Sequence, residues 1–428
     1  MRRSTCGTIW FVDQSLERWR PRRQSGSLEN VKALPMTNNE SPIRICFTVD
    51  AAYAGGAEKY VSLLATGIDR ETFEPVVLAK TNPRLDGWCG RLSASGVKVV
   101  RAPMDLPFRP RDAFPIWKEL RRAAPHAVHI NMPGPYDGQM GLLAPLARAV
   151  GSTAVVVTEH LPRVEPLWKR ALVKRVSYSF VDRVLTVSRS NLAYLVERHG
   201  VPEYKTAVVY NGIPEVYGSR RGEWRDVARG SLGLGSADAG IVFVGSLVER
   251  KGMRILLDAL GPLRGGGWRL LVIGGGGERD AYEAAAREKG LRDRVEFLGE
   301  LPESEVERTL CASDLLVLPS IIEGMPYVVI EAMACSLPVV ASGIDGIPEA
   351  APDGEAGILV PPGDADALRS GIARLLGDAP LRTRLGGAGR RRFERLFTLE
   401  RHLREMESMY ADLVGLARRH RGGGVRGR

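Results

Sequence analysis

The sequence predicts an α/β protein made of two Rossmann-like domains in tandem, each a parallel sheet covered by helices on both faces. Three observations carry this. The chain has 428 residues and 44% apolar content, enough for two domains with full cores rather than one. Short apolar runs of parallel-strand type, IRICFTV (43–49), AVVVTEH (154–160), IVFVGS (241–246), LLVIGGG (270–276) and LLVLPS (315–320), alternate with helical stretches. Polar residues suited to chemistry stand where such runs end, at the carboxyl ends of strands, where open α/β sheets bind ligands.

The elements follow in order. After IRICFTV, the segment AYAGGAEKY starts a helix, and Gly55 and Gly56 let backbone N–H groups approach a ligand where a side chain would block it. Glu58 then favours that helix's first turn by charge. AVVVTEH ends on His160, which projects from the carboxyl end of its strand, and YNGIPE (210–215) supplies a hinge-like turn. A Gly- and Arg-rich stretch, 212–240, separates the two halves. GGGG (274–277) lacks the G-x-G-x-x-G spacing of a dinucleotide site, and no Walker lysine follows it. LLVLPS reads as a buried strand, Pro326 suits the first turn of the next helix, and PVVAS (338–342) is the next strand. This puts Glu323 and Gly324 in the loop leaving a strand and Glu331 one to two turns into the helix, so both carboxylates line one crevice beside a helix amino terminus.

Charge and cysteine usage narrow the function classes. Much of the formal +10 lies in the tails: residues 1–40 hold seven basic against four acidic residues, and the last eleven residues hold five arginines and no acid. The folded part is left near neutral, with no nucleic-acid-binding motif. Both tails, 1–40 and 417–428, read as disordered and basic. No window approaches the ~20 apolar residues of a membrane span, and TIWFV is too short for a signal core. Cys6, Cys46, Cys89, Cys311 and Cys335 are odd in number and lack paired spacing, which suits a reducing cytoplasm and neither a disulfide frame nor a zinc site.

The run PSIIEGMPYVVIEAMACSLPVVAS, with glutamates eight positions apart, resembles the signature of family 4 glycosyltransferases, retaining enzymes of the GT-B fold. GGAEKYVSLLA, VVTEH, VLTVS, VVYNGI, VGSLVERKG, VEFLG, ASGIDGIPE and GILVPPGD occur in that family's order, over about residues 43–415. The resemblance implies an acceptor-binding domain over 41–212, a nucleotide-sugar-binding domain over 213–398 and a closing helix, 399–416, packed back on the first domain. It further implies that Lys251 neutralises the diphosphate, that Glu323 binds donor-sugar hydroxyls with the Gly324, Met325 and Pro326 backbone, and that Glu331 takes the ribose diol. By the same resemblance, His160 is expected beside the transferred sugar, Gly55 and Gly56 over the diphosphate, and the loop at Gly274 with the strand end at Leu298 around the base. Relatives usually carry a phosphate-binding Arg where this chain has Ser246, and Arg250 is the nearby cation that would substitute. His129 is a weaker candidate, since relatives often place a second histidine where this chain has Asn131.

A sugar nucleotide breaks between the anomeric carbon and the diphosphate, so an enzyme must stabilise a departing dianion and a sugar with oxocarbenium character. The expected reaction is retaining transfer from a UDP- or GDP-linked sugar to a hydroxyl of a glycan, a lipid-linked saccharide or a small molecule. No cofactor and no metal are implied, because no aspartate pair stands at a strand end to hold a divalent ion. The expected location is the cytoplasm, with peripheral contact at the inner membrane face left open by a lipid-linked acceptor. A GT-B epimerase and a non-catalytic sugar-nucleotide-binding subunit remain as alternatives.

Overall fold

The computed structural model describes residues 41–422 except 52–54, 105–109, 135–139, 153, 162–167 and 264–265. The expected tails, and parts of the first-domain loops around 52–54 and 135–139, therefore lie largely outside the described residues. Seven parallel strands form the first sheet: β1 (Ile43–Val49), β2 (Phe73–Lys80), β3 (Lys98–Ala102), β4 (Ala127–Met132), β5 (Ala154–Glu159), β6 (Arg183–Thr186) and β7 (Thr206–Val208). Their order is β3-β2-β1-β4-β5-β6-β7. Six more form the second: β8 (Ala239–Val244), β9 (Trp268–Ile273), β10 (Val295–Gly299), β11 (Leu315–Leu318), β12 (Val339–Ser342) and β13 (Gly357–Val360), in the order β10-β9-β8-β11-β12-β13. Every strand pair is parallel within the described residues, as expected for runs buried on both faces.

The strand order reverses between β1 and β4 in one sheet and between β8 and β11 in the other. Loops leaving such neighbouring strands diverge to opposite faces and open a crevice. The Gly55–Gly56 loop therefore stands at the first switch point, and the Lys251 and Glu323 loops stand together at the second.

Each sheet carries its own core. Phe243, Leu271, Val317 and Val340 are buried in the second domain, while Phe47, Val77 and Val156 are buried on one face of the first sheet. The closing helix (Leu399–Gly422) adds Met406, Tyr410 and Val414 to that first-domain core. Burial of each such side chain contributes about 1.5–3 kcal/mol, which fixes the chain's end across the domain boundary. The helix runs six residues past the expected end at 416, because LARRHR (416–421) holds no breaker before the glycines at 422–424. The 212–240 stretch also differs from a plain link. It contains a helix, Arg221–Ser231, whose Arg225 and Arg229 bind Asp314 at 2.5 and 3.0 Å and so fasten it to the second domain. Cys311 and Cys335, unpaired by spacing, lie with sulfurs 3.6 Å apart as buried thiols.

Candidate functional site

The second-domain half of the site begins where β8 ends. A single 3-10 turn (Glu249–Lys251) closes on Gly252, at φ +72°, where a Cβ would lie 2.0 Å from the Pro319 carbonyl oxygen. Only glycine permits that turn to rest on the end of β11. The Lys251 Nζ consequently reaches Glu323 Oε1 at 2.5 Å, and the Ser320 hydroxyl donates to the same oxygen at 2.7 Å. The Glu323 amide donates to Asp345 Oδ2 at 2.8 Å, which anchors the loop. Glu323 is 5% exposed.

Around this pair, Ser246 is half-buried and Arg250 is exposed, its carbonyl accepting from the Ile321 amide at 2.8 Å. Arg250 thus lies on the rim beside the Glu323 loop. Gly274 and Gly276, at φ +135° and +155°, lie against the β8 loop, where a Cβ would come within 2.0 Å of Gly245 O and 2.4 Å of Leu247 O. Leu298 is half-buried on β10, next to Gly299, whose carbonyl accepts from the Gly274 amide at 2.8 Å. Pro326 precedes the helix Tyr327–Ala334, which buries Met325 at its start and holds Glu331 at 6% exposure.

The first-domain half is built on histidine and tyrosine. His160 Nε2 donates to Asn131 Oδ1 at 2.7 Å, and its ring meets Tyr60 edge-on at 4.8 Å between centroids. Burial, with a smaller contribution from His402, pushes its pKa down to about 3, so the ring is neutral at physiological pH. Asn131 is thus the partner that orients His160. His129 is placed elsewhere: fully buried, it bonds Thr158 at 2.7 Å and Tyr410 at 2.5 Å, tying β4 to the closing helix rather than facing the cleft. Gly55 heads the helix Gly56–Gly67, and the Glu58 carboxylate accepts from the Gly55 amide at 2.8 Å. That capping contact gives Glu58 the local role its position suggests.

The two halves touch across the cleft. A Cβ on Gly324 would lie 2.1 Å from the His160 carbonyl oxygen, so the glycine brings the Glu323 loop directly under His160. Asn211 donates to Met325 O at 2.9 Å. Glu349 accepts from the Arg189 and Ser190 amides at 3.0 and 2.9 Å, a second-domain carboxylate set on the amino terminus of a first-domain helix, Arg189–His199. Lys59, from the helix Gly56–Gly67, reaches Glu331 at 2.7 Å and Glu303 at 2.5 Å. Sequence reasoning missed Lys59, Asn211, Asp345 and Glu349 as site neighbours, although all lie in quoted motifs: GGAEKY, YNGI and ASGIDGIPE. Among the described residues, no group of three His, Cys, Asp or Glu is arranged to hold a metal ion.

Two facing Rossmann domains with a buried carboxylate–lysine pair at a switch point and a histidine opposite define a GT-B glycosyltransferase. The family profiles for Glycosyltransferase Family 4 and for glycosyl transferases group 1 match residues 54–215 and 225–392. A D-inositol 3-phosphate glycosyltransferase of Mycobacterium sp. (strain KMS) is 30% identical over 354 residues, covering 76% of this chain and 79% of the relative. A GDP-mannose-dependent alpha-(1-6)-phosphatidylinositol monomannoside mannosyltransferase of Mycolicibacterium smegmatis is 27% identical, covering 78% and 89%. Among solved structures, Anabaena HepE in complex with UDP-glucose matches with a TM-score of 0.75 at 20% identity, over 86% of this chain and 100% of that one. A Rickettsia africae glycosyltransferase matches with a TM-score of 0.76 at 19% identity, over 88% and 99%. The chain belongs to glycosyltransferase family 4, group 1, and is an enzyme that uses a nucleotide-sugar donor.

Proposed function

We propose that this enzyme transfers a hexose, with retention at the anomeric carbon, from a UDP- or GDP-linked donor to a hydroxyl of a glycan, a lipid-linked saccharide or a small polyol. The observation that carries the reading is the Lys251–Glu323 pair under His160, held by the Gly324 approach. When a donor enters, the Lys251 ammonium turns from Glu323 to the diphosphate and neutralises charge that grows as the bond breaks, a task here assigned to no metal. Glu323, released, accepts from sugar hydroxyls, with the Gly324 to Pro326 backbone alongside. Glu331 accepts from the ribose diol, as an acceptor-only carboxylate suits two vicinal donors. The Gly274 loop and Leu298 flank the base, the Gly55–Gly56 loop covers the diphosphate, and Arg250 serves where Ser246 leaves no cation.

The acceptor oxygen attacks the anomeric carbon from the face the diphosphate leaves. The acceptor O–C1 bond forms as the C1–O phosphate bond breaks, and the acceptor proton passes to a β-phosphate oxygen. His160 then acts as a neutral hydrogen-bonding group beside the sugar rather than as a base. A membrane-borne acceptor fits the first domain: Phe114 is 67% exposed on the helix Pro110–Ala123 with Lys118, Arg121 and Arg122, and Leu172 and Val176 are 58% and 56% exposed on the helix Trp168–Ser177 with Arg175. No helix among the described residues is long and apolar enough to cross a membrane, so the contact would be peripheral.

A thermal-shift screen of nucleotides and nucleotide sugars tests the donor assignment, since a ligand that binds only the folded state raises its melting temperature. Stabilisation by a UDP- or GDP-sugar, with nucleotide release only when an acceptor hydroxyl is present, is the expected result. Release at the same rate without acceptor would sink the transfer reading.

A further inference from the structure

The cross-cleft lysine has no part in the assignments above, and its surroundings are specific. Lys59 sits one turn into the first-domain helix Gly56–Gly67, with its side chain 21% exposed. Its ammonium lies 2.7 Å from Glu331 and 2.5 Å from Glu303, with the rings of Tyr327 and Tyr217 at 5.4 and 5.9 Å. Burial alone would lower its pKa, but the charges of Glu331 and then Glu303 outweigh that and hold it above the ordinary lysine value, so it stays protonated. Its two partners differ. The Glu303 side chain is 61% exposed, where water screens a pair, whereas the Glu331 side chain is 7% exposed and depends on its partner.

We propose that Lys59 is a positioning residue for donor binding, supplied by the first domain, which holds the Glu331 carboxylate oriented for the nucleotide ribose. The inference rests on the ribose role proposed for Glu331. A diol needs a carboxylate whose free lone pairs face it, and a nearly buried carboxylate that loses its cation turns to other donors. A carboxylate oxygen has two lone pairs, so Lys59 on Oε1 and a ribose hydroxyl are compatible partners. Donor affinity thereby depends on the two domains being together, although the ribose ligand Glu331 itself lies in the second.

Calorimetry with UDP and GDP on the full chain tests this, using whichever of the two the wild type binds, with the variants Lys59→Met, Lys59→Arg, Glu331→Gln and the double variant Lys59→Met/Glu331→Gln. Lys59→Met should lower the melting temperature yet leave the protein folded at the assay temperature, weaken that diphosphate about tenfold, and raise the donor KM while leaving kcat within about threefold. Lys59→Arg should recover most of the affinity. In the double variant, Lys59→Met should cost less than about twofold beyond Glu331→Gln, because a residue acting through Glu331 has nothing left to act on. Unchanged or tighter binding by Lys59→Met, or an equal loss on both backgrounds, overturns the inference. A Glu331→Gln variant that binds as the wild type instead overturns the ribose assignment beneath it.

Discussion

Gly324→Ala places a methyl group where the two domains meet. The new Cβ would stand 2.1 Å from the His160 carbonyl oxygen, inside the 3.0 Å that such contacts essentially never cross. The atom it meets is backbone at the end of β5, so no flexible side chain can turn aside, and the Glu323 loop or the whole domain interface must retreat by about 1 Å. A displacement of that size between reacting groups costs on the order of a hundredfold in rate. The second-domain loops proposed to hold the nucleotide keep their own contacts, so affinity for the bare nucleoside diphosphate should fall by no more than about tenfold while kcat falls about a hundredfold. Nucleoside diphosphate release with a donor and acceptor pair from the screen reads kcat, and calorimetry reads affinity. Gly415→Ala is the control: it lies in the closing helix with nothing within 4 Å of the new Cβ, and should raise stability by about 0.5–1 kcal/mol without touching turnover. A Gly324→Ala enzyme with wild-type kcat would show that the His160–Gly324 approach plays no part in the working state.

Two further perturbations follow. His129, His160 and His402 have pKa values pushed from 6.5 down to about 3, about 3 and about 4, in each case mainly by burial, so the unfolded chain binds more protons than the folded one below about pH 6.5. Stability is fully present above about pH 7 and is lost as pH falls: at pH 5 each histidine costs about 2 kcal/mol, or about 6 together. Urea melts at pH 7.5 and 5.0 measure this, and His402→Met should remove about a third of the difference; an unchanged difference would mean that burial does not hold His402 neutral. Lys251→Ala should lower kcat a hundredfold or more with little change in melting temperature, whereas Ser246→Arg should fold normally and tighten donor binding. Full turnover in Lys251→Ala would remove that lysine from the diphosphate.

Much of this was legible because local rules and the fold agree. IRICFTV is β1 residue for residue, and the spacing of Glu323, Pro326 and Glu331 placed a loop, a helix start and a helical carboxylate correctly. The contacts across the cleft were not legible. Lys59 and Glu331 are 272 positions apart, and nothing at either position announces the other. The Glu349 contact with the Arg189–His199 helix joins the short helix Ile347–Ala350 to another helix's amino terminus through tertiary docking alone. The helix Arg221–Ser231 was hidden by its glycines and arginines, which read as a link until Asp314 supplies their partner. His129 differs from His160 only in what surrounds it: one strand position buries a ring between Thr158 and Tyr410, the other delivers it to the cleft.

The division of labour between the two glutamates is the centre of the account, and calorimetry with the bare nucleoside diphosphate tests it most directly. Glu331 is assigned to the ribose, which does not react, so Glu331→Gln should weaken the bare diphosphate and the intact donor alike. Glu323 is assigned to the sugar, which the bare diphosphate lacks, so Glu323→Gln should bind that ligand nearly as the wild type does while losing turnover. Equal loss of diphosphate affinity in both variants would contradict the assignment of sugar and ribose to these two carboxylates.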